Sequence, residues 1–181
     1  VNTLTLADVG GTSQFNQNVT AVRFVAGNTV ARIDFENDLT VTNAVSFAND
    51  GNLSFSSTTS TFNGGLTTTG VGGDVNVRGT IQTSDDPITL GAIILANATT
   101  ITTNATSGTG DITISGAITA NQALTLSTGN NISGSNVSVT DTVQVTTLTL
   151  SNIGGTATLS GDVDVTTLVV PNTVANVAFT G

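Results

Sequence analysis

The run ITLGAIILANATTITTNATSGTGDITISGAITANQALTLSTGNNI, Ile88 to Ile132, decides how the chain folds. Its apolar residues come as dyads with one polar residue between them, Ile88/Leu90, Ile112/Ile114 and Leu124/Leu126. That alternation of period two is the signature of a strand with one buried face. The dyads also return at a longer distance. Ile88 comes back as Ile112 and Leu124 as Leu148, both at a spacing of 24, and Leu53 comes back as Val75 at a spacing of 22. Similar dyads run from Leu4/Leu6 to Val163/Val165. Between them lie corners of Gly, Asn, Asp and Ser at Gly10-Gly11, Asn49-Asp50-Gly51, Gly64-Gly65, Gly72-Gly73-Asp74, Gly108 to Asp111, Thr128 to Asn131 and Gly154-Gly155. These are the residue types that tight turns need. Helix signals are almost missing: no window shows apolar residues at i, i+3, i+4 and i+7 between caps, and Glu36 is the only Glu. Strands of about three to five residues are short for a β-sandwich, the all-β alternative. A coiled ribbon can use them, because each strand stacks on its equivalent one turn away. The expected fold is therefore all-β, a parallel β-solenoid (right-handed β-helix) with about 20–24 residues per coil.

Outward from this run, the two ends of the chain repeat each other. VNTLTLADVGGT, Val1 to Thr12, returns as VTTLTLSNIGGT, Val145 to Thr156, an offset of 144. Without a gap the match continues: Val19 falls on Val163, Val25 on Val169, Asn28-Thr29-Val30-Ala31 on Asn172-Thr173-Val174-Ala175, and Phe35 on Phe179. The chain reads as one continuous solenoid over 1–181, in which 1–144 is a long repeat unit of about six or seven coils and 145–181 starts the next copy. Such a segment is expected to belong to a longer tandem array, with further copies of the repeat or like chains stacked end to end as its partners. Six of the seven Phe lie between Phe15 and Phe62, so aromatic rings should fill the bore at the start of a unit. Pro87 and Pro171 should sit at corners or strand starts, where no ladder hydrogen bond is lost.

Composition closes off whole classes of function. Twelve acids face three bases, Arg23, Arg32 and Arg78, for a net charge of −9, and there is no Lys, His or Cys. Nucleic acid is excluded as a partner, because phosphate binding needs clustered cations. Membrane insertion is not expected, since no apolar run approaches the ~20 residues of a spanning helix. A Ser-His-Asp triad, a Cys-His pair and zinc or haem ligation have no residues to build them, so no enzyme and no cofactor is expected.

Calcium is the one ion left to weigh, and its candidate ligands are Asp34, Glu36 and Asp38. In Arg32-Ile33-Asp34-Phe35-Glu36-Asn37-Asp38, strand alternation would send Ile33 and Phe35 inward and place the acids with Arg32 on one outer face, neighbours about 7 Å apart. Paired carboxylates could bind calcium or cleave a glycoside, whereas the simpler reading is a solvated face. The second copy has Ala178 and Thr180 at the positions of Asp34 and Glu36, which favours the simpler reading. Asp162 with Asp164 forms a similar outward pair, and Asp85-Asp86-Pro87 reads as a turn. Six Asn-x-Ser/Thr sequons, at Asn18, Asn52, Asn97, Asn104, Asn131 and Asn136, are expected by chance in so Asn- and Thr-rich a chain. Outward Thr rows such as Thr100 with Thr102 are read as good exposed strand residues.

The low-complexity Thr/Gly/Asn strands of Ile88 to Ile132 resemble the β-helical shafts of filamentous-haemagglutinin-type exoproteins and autotransporter passengers, adhesins of bacterial cell surfaces, and the likeness extends over nearly the whole chain. The resemblance implies a secreted, extracellular rod that mediates attachment, with host or matrix glycans or proteins as partners. A second expectation is a segment of a self-assembling extracellular filament, S-layer or biofilm matrix. A third is a carbohydrate-active β-helix.

Overall fold

The computed structural model describes residues 1–107 and 110–181, so the first half of the corner expected at Gly108 to Asp111 lies outside the described residues. The chain winds into a parallel β-solenoid of about 8 turns with about 21 residues per coil, and no helix forms among the described residues. Three faces recur in order. The first stacks Thr12–Phe15, Arg32–Phe35, Leu53–Phe55, the front halves of Val75–Gln82 and Ile93–Ala105, Ile118–Thr119, and the front halves of Val143–Ser151 and Val163–Val169. The second stacks Val19–Ala21, Leu39–Val41, Thr59–Phe62, the rear halves of the same long strands, and Ala123–Gly129. The third runs from Thr3–Leu6 and Arg23–Ala26 through Val45–Ser46, Leu66–Thr67, Ile88–Leu90, Ile112–Ile114, Val137–Val139 and Ile153–Leu159 to Val174–Phe179.

The dyads that suggested a coil are the residues that pair. Val75 is the register partner of Leu53, Ile112 of Ile88 and Leu148 of Leu124. Every pairing is parallel, so each inward side chain lies on its equivalent and the apolar residues form continuous columns. Leu90, Ile114, Val139 and Leu159 are one such column, each 1% exposed or less. Coil length varies more than expected: the step is short where Asn76 pairs with Ile94, and long where Ile93 pairs with Ile118 and Ile112 with Val137.

Strand length departs from expectation as well. Val75–Gln82 has 8 residues, Ile93–Ala105 has 13 and Val143–Ser151 has 9. Such strands turn the corner between the first two faces without ending, because the pairing is interrupted there and resumes beyond it. In Val75–Gln82 the register shifts between Val77 and Gly79. Gly79 has φ +67, and a Cβ there would lie 2.5 Å from the Thr58 carbonyl oxygen of the coil below. Only glycine allows the bend and the close approach together.

The aromatic expectation holds. Phe15, Phe35 and Phe55 stack along one column, with centroids 5.1 and 5.8 Å apart and planes 10° and 7° from parallel. Phe24, Phe47 and Phe62 meet them edge-on. Pro87 immediately precedes the strand Ile88–Leu90 and Pro171 follows Val163–Val169, both at corners.

Equivalent positions of the two copies share local structure but not the same face. Asp8 and Asn152 both turn their corner with φ 51. Thr29 donates its hydroxyl hydrogen to Asp8 Oδ1, and its equivalent Thr173 accepts from the Asn152 backbone N–H at 3.1 Å. Yet Thr3–Leu6 lies on the third face, while its equivalent 147–150 lies on the second; Thr12–Phe15 lies on the first and 156–159 on the third. Leu148 is reached from Leu4 after six full coils and two further faces.

Candidate functional site

The acids singled out by sequence do not converge. The strand ends at Phe35, so alternation carries Ile33 and Phe35 inward as expected but ceases to place Glu36 and Asp38. Asp34 is the main correction: expected on an exposed face, it is only 6% exposed. It sits in a ladder between Gln14 and Ser54, whose strands flank it above and below, and both its oxygens accept from Arg32 Nε at 2.9 and 2.8 Å. Glu36 is exposed, and its Oε1 accepts from Gln14 Nε2 at 3.5 Å. Asp38 points to the next coil, where its Oδ1 accepts from the Thr58 hydroxyl and the Thr59 N–H, each at 3.1 Å.

Calcium binding takes six to eight oxygens around one point, and here two of three carboxylates are already committed elsewhere. The residues present do not fit the ion. Among the described residues, no three acidic side chains gather where a metal could be held. For glycoside cleavage two carboxylates must flank one bond. Asp34 is instead paired with Arg32, and Asp38 is bonded to Thr58 and Thr59 of the next coil.

Asp85 behaves like Asp38. With φ 67 at the corner, its carboxylate accepts from the Thr106 N–H, from the Thr106 hydroxyl at 2.8 Å and from the Ser107 N–H at 3.1 Å. Asp111 Oδ1 takes the Asn136 N–H at 2.7 Å, one coil on. Replacing Asp85 by Ala should hand these exposed donors to water and cost about 1 kcal/mol. Denaturant unfolding, with faster amide exchange at Thr106 and Ser107, checks this. Asp164 stays exposed, in register with Gln144. Several sequon amides serve as corner ties too: Asn52 Oδ1 accepts from the Asp74 N–H at 3.0 Å and Asn136 Oδ1 from the Thr156 N–H at 2.9 Å.

Sequence reasoning missed a buried column of corner hydroxyls. Thr83, Thr103 and Thr128 are each 2% exposed or less. The Thr103 hydroxyl donates to Gly110 O at 2.8 Å, and that of Thr128 to Asn152 O at 2.8 Å, a coil away. The available signal was two polar residues in succession, Thr102-Thr103 and Ser127-Thr128, where alternation breaks because the second side chain turns into the corner.

Three shallow depressions of about 200–250 Å³ are seen, around Gly65 and Pro87, Gln144 and Asp164, and Asp74 and Ile93. Each is smaller than the roughly 300–1,000 Å³ of ligand pockets. No helix among the described residues is long and apolar enough to cross a membrane. Compared with known proteins, the chain matches no family model, no curated protein and no solved structure.

Proposed function

We propose that the chain is a non-enzymatic shaft segment of a large secreted bacterial surface protein, extending and presenting attachment functions at the cell surface or in a matrix. The observation that carries this reading is where the reactive side chains are spent. Asp38, Asp85 and Asp111 tie one coil to the next, Asp34 is closed by Arg32, and the apolar columns run through the rod from end to end. A body so organised resists bending and unwinding, because each coil is held by its neighbours on three faces.

Electron microscopy of the purified chain tests it. At about 4.8 Å per coil, eight coils make a discrete rod about 4 nm long. A second reading, a self-assembling filament segment, is favoured by the return of Val1 to Thr12 at Val145 to Thr156, and long regular fibres at all concentrations would replace the first reading with it. Soluble glycans should not be hydrolysed, and calcium should leave the melting temperature unchanged. Glycan turnover lost in Glu36→Gln would overturn the non-enzymatic reading.

A further inference from the structure

The last coil, Val163 to Phe179, ends the stack: Val163–Val169 pairs with Val143–Ser151 behind it, and Val174–Phe179 with Ile153–Leu159 behind it. Val163, Val165, Val174 and Val177 are partly buried against the coil behind, and other apolar side chains are exposed. Leu168 and Val169 are 40% exposed, Val170 43% and Phe179 55%. At the equivalent places in the first copy, Phe24 is 3% exposed and Phe35 0%.

The difference has one source, the coil that follows. Val19–Ala21 is covered by Leu39–Val41, Arg23–Ala26 by Val45–Ser46 and Arg32–Phe35 by Leu53–Phe55, whose Phe55 ring lies flat on Phe35. The backbone bonds of that junction are equally defined. Val19 N–H donates to Asp38 O and Ile33 N–H to Asn52 O, while Ala21 O accepts from Thr42 N–H and Phe35 O from Ser56 N–H.

We propose that the Val163 to Phe179 edge is an interaction surface for one occupant, a coil with the sequence of this chain's own Asp38 to Phe62. In register, Leu39 covers Val163, Val41 covers Val165, Leu53 covers Val177 and Phe55 stacks on Phe179, because these pairs repeat Leu39 on Val19, Val41 on Ala21, Leu53 on Ile33 and Phe55 on Phe35. The first coil of an intact second copy is a poorer match. Its Leu4 is the equivalent of Leu148, which lies on Leu124 and not on a coil like Val163 to Phe179. The proposal stands on the repeat and is independent of whether the rod is adhesive.

The test uses the full chain at low concentration with a synthetic peptide of residues 38–62, followed by amide exchange. Exchange at Val163 and Val177 should slow at least about tenfold, since these N–H groups take the places of Val19 and Ile33. Thr3 to Leu6 should be unaffected. A peptide of residues 91–115, from an all-aliphatic part of the rod, should not protect, and Val177→Asp should abolish the effect. No protection, or equal protection by both peptides, would overturn the proposal. Protection without peptide that grows with protein concentration would also overturn it, by making an intact second copy the occupant.

Discussion

Ile114→Asp should destabilise the chain by at least about 3 kcal/mol. Ile114 is 0% exposed, with Leu90 below it and Val139 above it in the same column. A carboxylate there has no partner on either side, and burying an unpaired charge is among the few single changes that cost this much. Thr113→Asp, one residue away and pointing outward, is the control. It should stay within about 1 kcal/mol of the parent, since a surface substitution disturbs no packing. Urea unfolding of the two variants separates the faces of the strand. An unchanged midpoint for Ile114→Asp would mean that the inward register is wrong.

The second large effect is expected at Phe35→Ala, a loss of about 3–5 kcal/mol. The Phe35 ring touches four others, Phe15, Phe24, Phe47 and Phe55, at centroid distances of 5.1 to 6.2 Å. Its removal opens a void that stacked strands, pinned by hydrogen bonds on both sides, cannot collapse to fill. Phe179→Ala removes the equivalent ring from an exposed place and should change the midpoint little. Because coils lean mainly on their neighbours, the Phe35 void should first loosen the early coils, and amide exchange should rise between Thr12 and Phe62 before it rises near Leu148.

Much of this architecture was legible because a solenoid writes its contacts into the sequence at one remove. Ile88 and Ile112 are far apart in most folds but are adjacent here, so equal chemistry at equal spacing was enough to find the pairing. What the spacing concealed was its own irregularity. The short coil from Asn76 to Ile94 and the long one from Ile112 to Val137 absorb their difference in the corners, and the corner at Gly79 is tight enough for one strand to pass through it. The acids were misread for a related reason. Alternation describes a strand from within, whereas the fates of Asp34 and Asp38 depend on Arg32 folding back and on Thr58-Thr59 lying one coil ahead. A carboxylate at a corner reads from sequence as a free charge, and in the stack it acts as a rivet.

The one-face displacement between copies sets the symmetry of any row of such units. Six coils and two faces bring the repeat back on a different one of the three faces, so in a row of units with this offset equivalent residues step from face to face. A feature on one side of a unit, such as the exposed Glu36 or the outward Thr149, winds around the axis and comes back to the same side only at the fourth unit. A surface approached from any direction then meets the same pattern at intervals of three units, and the rod has no back.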